Sequence, residues 1–309
     1  MTVREISFSS AAGERRTLYL WESVGAPKAV LHIVHGMAEH IARYRDFAKK
    51  LNAMGIAVGG ADLPGHGPQT DPSQLGHFAK EDGMEKVLAD VRQTGQLIRG
   101  NFPGVPYVLM GHSMGSFISR ECVLRFESPD ALLLSGTGHF DRLLSAAALA
   151  LSRAACLIDG GQKPSKFLDK LVFSGNNKPF EPARTALDWL SRDEKEVDKY
   201  IADPYCGFPF TGSAYRDFFG LLKGLTHMNR LKDMQRKMPV LFISGAGDPV
   251  GGMSKGVRAV ARQFQQAGME DIGVRLYQDA RHELINELNR DEVIRETADW
   301  IIARTRKGA

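Results

Sequence analysis

Cysteine is scarce: Cys122, Cys156 and Cys206 are the only three in 309 residues. The number is odd and no Cys-x-x-Cys pair occurs. A disulfide framework is therefore excluded, and a reducing compartment such as the cytoplasm is expected. Long apolar runs are also missing. The longest, Leu143 to Leu151, is well short of the roughly 20 residues that cross a bilayer, and Arg153 follows it closely. Met1-Thr2-Val3-Arg4-Glu5 alternates polar and apolar residues and lacks the apolar region of a secretory signal. Charge of one sign does not accumulate: 40 basic and 36 acidic residues leave a net +4. The one basic cluster, Arg304-Thr305-Arg306-Lys307, reads as the solvated end of a last helix, so no nucleic acid partner is expected. Signatures of metal and nucleotide sites fail as well. His282-Glu283-Leu284-Ile285-Asn286 lacks the second histidine of a zinc helix, Gly245-Ala246-Gly247 misses G-x-G-x-x-G by one position, and no G-x-x-x-x-G-K-[ST] occurs. No cofactor and no metal are expected. There is no internal repeat or low-complexity segment.

What remains is a chain of 43% hydrophobic and 25% charged residues, the balance of a globular protein. Ile6 to Ser9 and Thr17 to Glu22 alternate like a half-buried antiparallel pair turned at Gly13. Strands suited to a parallel sheet, most of them nearly all apolar, follow at 29–35, 56–61, 107–111, 131–135, 240–244 and 274–277. Helical patterns separate them at 41–54, 84–99, 116–125, 255–267 and 293–304. This is α/β order, a mostly parallel central sheet flanked by helices. Between Gly138 and Met238 the alternation stops. Helix-like pieces at 143–157, 191–202 and 215–228 replace it, with Leu171-Val172-Phe173 as one short candidate strand. The expected division is a core of residues 1–138 and 237–309 and a helical cap insertion of 139–236, set over the C-terminal strand ends where ligands bind.

Gly111-His112-Ser113-Met114-Gly115 lies between an apolar strand and a helix, the context that G-x-S-x-G needs to hold a serine at the tip of a sharp turn. The bland alternative is a glycine-rich turn with an N-cap serine. A serine hydroxyl needs a base, and the base needs an orienting carboxylate, in chain order Ser, Asp or Glu, His. Asp248, in the loop after the 240–244 strand, is the preferred acid; its alternative is an Asp-Pro turn residue. His282, after the last strand, is the preferred base, and its alternative is a surface loop histidine. Asp279 and Glu283 share the loop of His282 and rival Asp248 for the acid role. His112 is expected to pack away from the nucleophile. The backbone amide of Met114, at the helix start, is one oxyanion donor. The loop His35-Gly36-Met37-Ala38-Glu39-His40 supplies the second, the amide of Met37. Asp62-Leu63-Pro64-Gly65-His66-Gly67 forms a second tight loop on the same rim, with His66 hydrogen-bonded inside it.

These segments, with His282-Glu283-Leu284-Ile285-Asn286-Glu287, resemble the α/β-hydrolases, and within them the monoglyceride lipase and lysophospholipase branch of serine aminopeptidase-like hydrolases. Arg184 to Asp193 and Asp203 to Phe208 resemble the cap of the lysophospholipase-like members. The chain departs from that pattern at Pro64, often Arg, and at Ser116, often Gly; neither touches the triad. The His-Gly-Gly-Pro-Gly loop of proline iminopeptidases is absent, which argues against a peptidase. The resemblance implies a triad of Ser113, Asp248 and His282 and an oxyanion hole of the Met37 and Met114 amides. It also implies a serine hydrolase that cleaves carboxylic esters through an acyl-enzyme, with single-chain acyl esters such as monoacylglycerol or lysophospholipid preferred. Leu143 to Leu151 is open to three readings: an acyl tunnel wall, a helix resting transiently on a membrane surface, or plain packing. Aromatics between 139 and 236, among them Phe167, Phe173, Phe180, Trp189, Phe208, Phe210, Phe218 and Phe219, are candidates for the acyl pocket. The rivals are a hydrolase of small soluble esters, thioesters or amides and a non-catalytic binding protein on a hydrolase fold. Oligomeric state is not legible.

Overall fold

The computed structural model describes residues 2–306 apart from Ala12 and Glu127. Lys307, the end of the basic cluster, lies outside them. Eight strands form one sheet: β1 (Thr2–Ser9), β2 (Arg15–Glu22), β3 (Ala29–Val34), β4 (Ile56–Ala61), β5 (Tyr107–His112), β6 (Ala131–Ser135), β7 (Val240–Gly245) and β8 (Ile272–Tyr277). Their spatial order is β1-β2-β4-β3-β5-β6-β7-β8. Only β2 runs against its neighbours; β3 to β8 are parallel. The apolar strands alternate between two cores, because successive side chains leave a strand on opposite faces. Leu31, Val108, Leu133 and Leu241 join the α1 (Arg45–Ala53) and α9 (Arg290–Thr305) side. Val30, Leu109, Leu132 and Phe242 join the side covered by α2 (Gly83–Asn101), α3 (Met114–Arg125) and α8 (Lys255–Gln266). Burial on both faces explains why these strands carry no polar alternation.

After β3 the chain places β4 on one side of it and β5 on the other. Such a switch point leaves a crevice at the C-terminal strand ends. The loop after β3 and the turn after β5 both open into it.

Between β6 and β7 the chain makes a helical excursion: α4 (Arg142–Asp159), α5 (Lys166–Phe173), α6 (Glu194–Ala202) and α7 (Gly212–Leu225). Leu171-Val172-Phe173 is not a strand but the last turn of α5. Ser165 caps that helix, its hydroxyl accepting from the Leu168 amide, and the three apolar residues complete an amphipathic turn. The excursion packs onto the core through α7. Phe218, Phe219, Leu221 and Leu222 of α7 are buried in the same core cluster as Phe117 of α3 and Met84 of α2. No helix among the described residues is long and apolar enough to cross a membrane.

Candidate active site

Ser113 stands between β5 and α3 with φ 51° and ψ −121°. A non-glycine residue in this region is strained, and such strain persists only where the surroundings over-determine it. Here they do. The Ser113 amide donates to Ser135 O of β6 at 2.9 Å, and the Ser116 amide and hydroxyl both donate to Ser113 O, at 2.8 and 2.6 Å. Gly115 allows the turn: a Cβ there would lie 2.0 Å from Val34 O and 2.5 Å from His35 O. The helix can therefore start directly against the end of β3. A Cβ on Gly36 would sit 3.2 Å from Ser113 Cβ. The loop after β3 thus approaches the serine so closely that a side chain at position 36 would have to displace its neighbours by a few tenths of an ångström.

Asp248 and His282 come together at the ends of β7 and β8. His282 Nδ1 lies 3.0 Å from both Asp248 Oδ1 and Oδ2, and both side chains are fully buried. The carboxylate is itself held, accepting from the Val250 amide at 2.9 Å. Burial works against a charged imidazole. Asp248, with Glu283 and Glu39 behind it, more than offsets this and raises His282 above the ordinary histidine value. Of the two rival acids, Asp279 is exposed in a turn at φ 59°, with Gln278 Nε2 as its partner. Glu283 is buried and turned toward Arg43. Neither is a partner of the imidazole.

Met37 and Met114 lie on either side of Ser113, on the loop after β3 and at the first residue of α3. Among the described residues, neither backbone amide meets a protein hydrogen-bond acceptor. Two amides left free beside a strained serine are what an oxyanion would need. The groups flanking Met37 are, in contrast, all engaged. Gly36 N–H donates to Glu39 Oε1, Ala38 N–H to His66 Nε2, and Ala38 O accepts from Tyr200 Oη and from the Gly207 amide.

One expectation needs correction. His112 does not pack away from the site: its ring centroid is 4.8 Å from that of His282, and it lines the cavity. The extended end of β5 throws residue 112 toward the β6 side, where His282 sits above Gly136. Burial, then the neighbouring His282, pushes His112 down to about 4, so it is neutral near pH 7. His66 is hydrogen-bonded inside its loop, as expected, and also reaches beyond it. Its Nδ1 bonds Pro64 O at 2.9 Å, while its Nε2 accepts from Ala38. His40, Asp203 and Cys206 gather at the edge of the excursion. There His40 Nε2 pairs with Asp203 Oδ2 at 2.8 Å and ties the excursion to the loop after β3.

Ser113, His282 and the Met37 loop open into a cavity of about 420 Å³. Its far walls come from the excursion: Phe173 of α5, Leu187, Trp189 and Leu190 before α6, and Phe208 before α7, with Asp169, Lys170 and Asn177 adding polarity. Trp189 touches His282 directly, its ring 5.0 Å from the His282 ring and its carbonyl accepting from the His282 amide. No local signal in the sequence separates these aromatics from the others. Phe210, Phe218 and Phe219 are core residues, and Phe167 faces solvent. Leu143 to Leu151 forms no tunnel wall. It belongs to α4, which packs on α7 away from the cavity with Leu143, Leu144 and Leu151 exposed.

A doubly flanked parallel sheet with a serine elbow after β5, an acid after β7 and a histidine after β8 defines an α/β-hydrolase. The chain belongs to the serine aminopeptidase, S33 family, whose profile matches residues 25–289. It is 27% identical over 291 residues to a monoglyceride lipase homolog of Monkeypox virus, covering 93% of this chain and 94% of that one. It is 26% identical over 300 residues to the monoglyceride lipase of Homo sapiens, covering 96% and 89%. Among solved structures, a thermostable carboxyl esterase from Bacillus coagulans in complex with glycerol superposes with a TM-score of 0.91 at 26% identity, covering 99% of this chain and all of that one.

Proposed function

We propose that this serine carboxylic-ester hydrolase acts on single-chain acyl esters of the monoacylglycerol or lysophospholipid type. Ser113 Oγ attacks the ester carbonyl, and His282 Nε2 takes its proton. Asp248 keeps Nδ1 protonated and stabilises the imidazolium. The oxyanion forms between the Met37 and Met114 amides, and the imidazolium returns its proton to the leaving alcohol. Water then repeats the cycle on the acyl-enzyme, with His282 again as base. The observation that carries this reading is the buried His282–Asp248 pair at 3.0 Å, sharing one cavity with a serine at φ 51°.

Residues 139–236 act as a cap in this reading. Phe173, Leu187, Trp189 and Phe208 hold the acyl chain, while Asp169, Lys170 and Asn177 meet the polar end of the substrate. The outer surface of α4 and α5 exposes Leu143, Leu144, Leu157, Ile158, Phe167 and Leu171. Such a surface suits transient contact with the lipid aggregate in which these esters reside. The names of the relatives support the substrate class, and the apolar cavity supports the chain.

A series of p-nitrophenyl esters from acetyl to dodecanoyl, together with the matching monoacylglycerols, tests the reading. Each buried methylene contributes roughly 0.8 kcal/mol, so kcat/KM is expected to climb severalfold per carbon until the cavity is filled. An optimum at acetyl with longer chains rejected would instead identify a hydrolase of small soluble esters.

A further inference from the structure

Arg43 lies in the 3-10 turn Ile41–Tyr44, directly after the loop that carries Met37. Its side chain is largely buried and grips two carboxylates. Nη1 donates to Glu39 Oε2 and Glu283 Oε1, and Nη2 to Glu283 Oε2, all at 2.7 Å. The plane of the group also covers the Tyr200 ring of α6 at 4.8 Å. Each partner continues toward the reacting centre. Glu39 Oε1 accepts the Gly36 amide at 2.5 Å and the Tyr44 hydroxyl at 2.9 Å, which fixes the His35–Gly36 peptide, next to the one that carries the Met37 N–H. Tyr200 Oη donates to Ala38 O at 2.7 Å, which fixes the Ala38–Glu39 peptide on the far side of Met37. Glu283 follows His282 in the chain; its amide donates to Leu190 O at 2.8 Å, and its carboxylate accepts from Asn286 Nδ2.

We propose that Arg43 is a positioning residue for the ester hydrolysis: its fork ties the backbone on both sides of the Met37 amide to the loop that carries the base. This rests on the assignment of Ser113, His282 and the Met37 amide above. The donor and the base come from loops after β3 and β8, at separate places in the sheet. Holding both to one rigid planar group fixes the distance between the point where charge develops and the point where the proton goes. A misplacement of about 1 Å between such groups costs on the order of 10²-fold in rate.

The same geometry sets the charge around the base. His282 is faced by Asp248 from the loop after β7, His112 from β5, Glu39 from the loop after β3 and Glu283 from its own loop. Arg43 neutralises one of the two charges that Glu39 and Glu283 carry. It holds both carboxyls, against the effect of burial, below the usual carboxylate range. Without it, two uncompensated carboxylates would favour the imidazolium further. An ordinary structural ion pair on the surface would not reach the base in this way.

The test is a pH series of kcat and KM for wild type, Arg43→Met, Arg43→Lys and Ser113→Ala on a soluble ester, with thermal melts to confirm folding. Arg43→Met is expected to lower kcat roughly 10²-fold with KM little changed, and to move the acid limb of the profile to higher pH. Lysine keeps the charge but cannot make the fork. Arg43→Lys is therefore expected to leave the limb near its wild-type position and still lose kcat, and this variant decides the matter if the methionine does not fold. Both variants within twofold of wild type in kcat, a loss confined to KM, or an unmoved limb in Arg43→Met would overturn the proposal alone. Wild-type turnover by Ser113→Ala would overturn the catalytic assignment and this proposal together.

Discussion

The rim around Ser113 and the outer helices of the excursion are built on opposite principles. At the rim the backbone is strained and crowded and nearly every polar group is engaged: Ser113 sits at φ 51°, Gly115 cannot carry a side chain, and Gly36 and Ala38 are bonded on both sides of Met37. On α4 and α5 the backbone is relaxed, and large apolar side chains face outward, Leu157 89% exposed and Ile158 88%. The first arrangement suits groups that must meet a transition state without reorganising. The second suits a surface that exchanges water for lipid and requires no fixed geometry. Substitutions at the rim should therefore act on the chemical step, and substitutions on α4 on where the protein resides.

The largest expected effect at the rim, after loss of the serine itself, is at the acid. Asp248→Asn should lower kcat on the order of 10⁴-fold by analogy with other triads, whereas Asp279→Asn should leave turnover near wild type. Steady-state kinetics on one soluble ester decides this, and the reverse ranking would break the account of the rim. Next comes the crowding. Gly115→Ala would put a methyl 2.0 Å from Val34 O, whereas Gly220 of α7 has no atom within 4 Å of a Cβ. Denaturant melts should show Gly115→Ala losing several kcal/mol or failing to fold and Gly220→Ala gaining about 0.5–1 kcal/mol. Equal tolerance would mean that the elbow is not tightly packed.

The pH dependence follows from the sign of one shift. His282 is raised above the ordinary 6.5 and must be neutral to accept a proton. The rate kcat/KM should thus fall as pH drops through a value above 6.5, with protonation lost and activity complete on the alkaline side. A profile flat from pH 8 to 5 in a folded protein would remove histidine as the base. The smallest effect on chemistry belongs to α4. Leu157→Ser with Ile158→Ser should leave hydrolysis of soluble esters within twofold and weaken sedimentation with phospholipid vesicles. Unchanged vesicle binding would leave the exposed face without a lipid role.

The same contrast governs what was legible in the sequence. The strands buried on both faces, such as Ala131–Ser135, read directly as apolar runs, and their alternation with helices gave the α/β order. G-x-S-x-G was readable because close backbone approach leaves glycine as the only choice. The excursion resisted. Leu171-Val172-Phe173 has β-forming residues, but the Ser165 cap and the amphipathic turn make it helix. Phe208 and Phe210 are two residues apart, yet one lines the cavity and the other the core. The contact of His112 with His282 and the fork of Arg43 join residues 170 and 240 positions apart, and no local pattern announces either.

The proposed reaction depends on Ser113 as the activated nucleophile at this rim. Reaction with a fluorophosphonate followed by peptide mass spectrometry tests it most directly. One adduct at Ser113, formed quickly in wild type and at least 10²-fold more slowly in His282→Ala, is the predicted result. An adduct at another serine, or labelling of Ser113 at the same rate without His282, would contradict it.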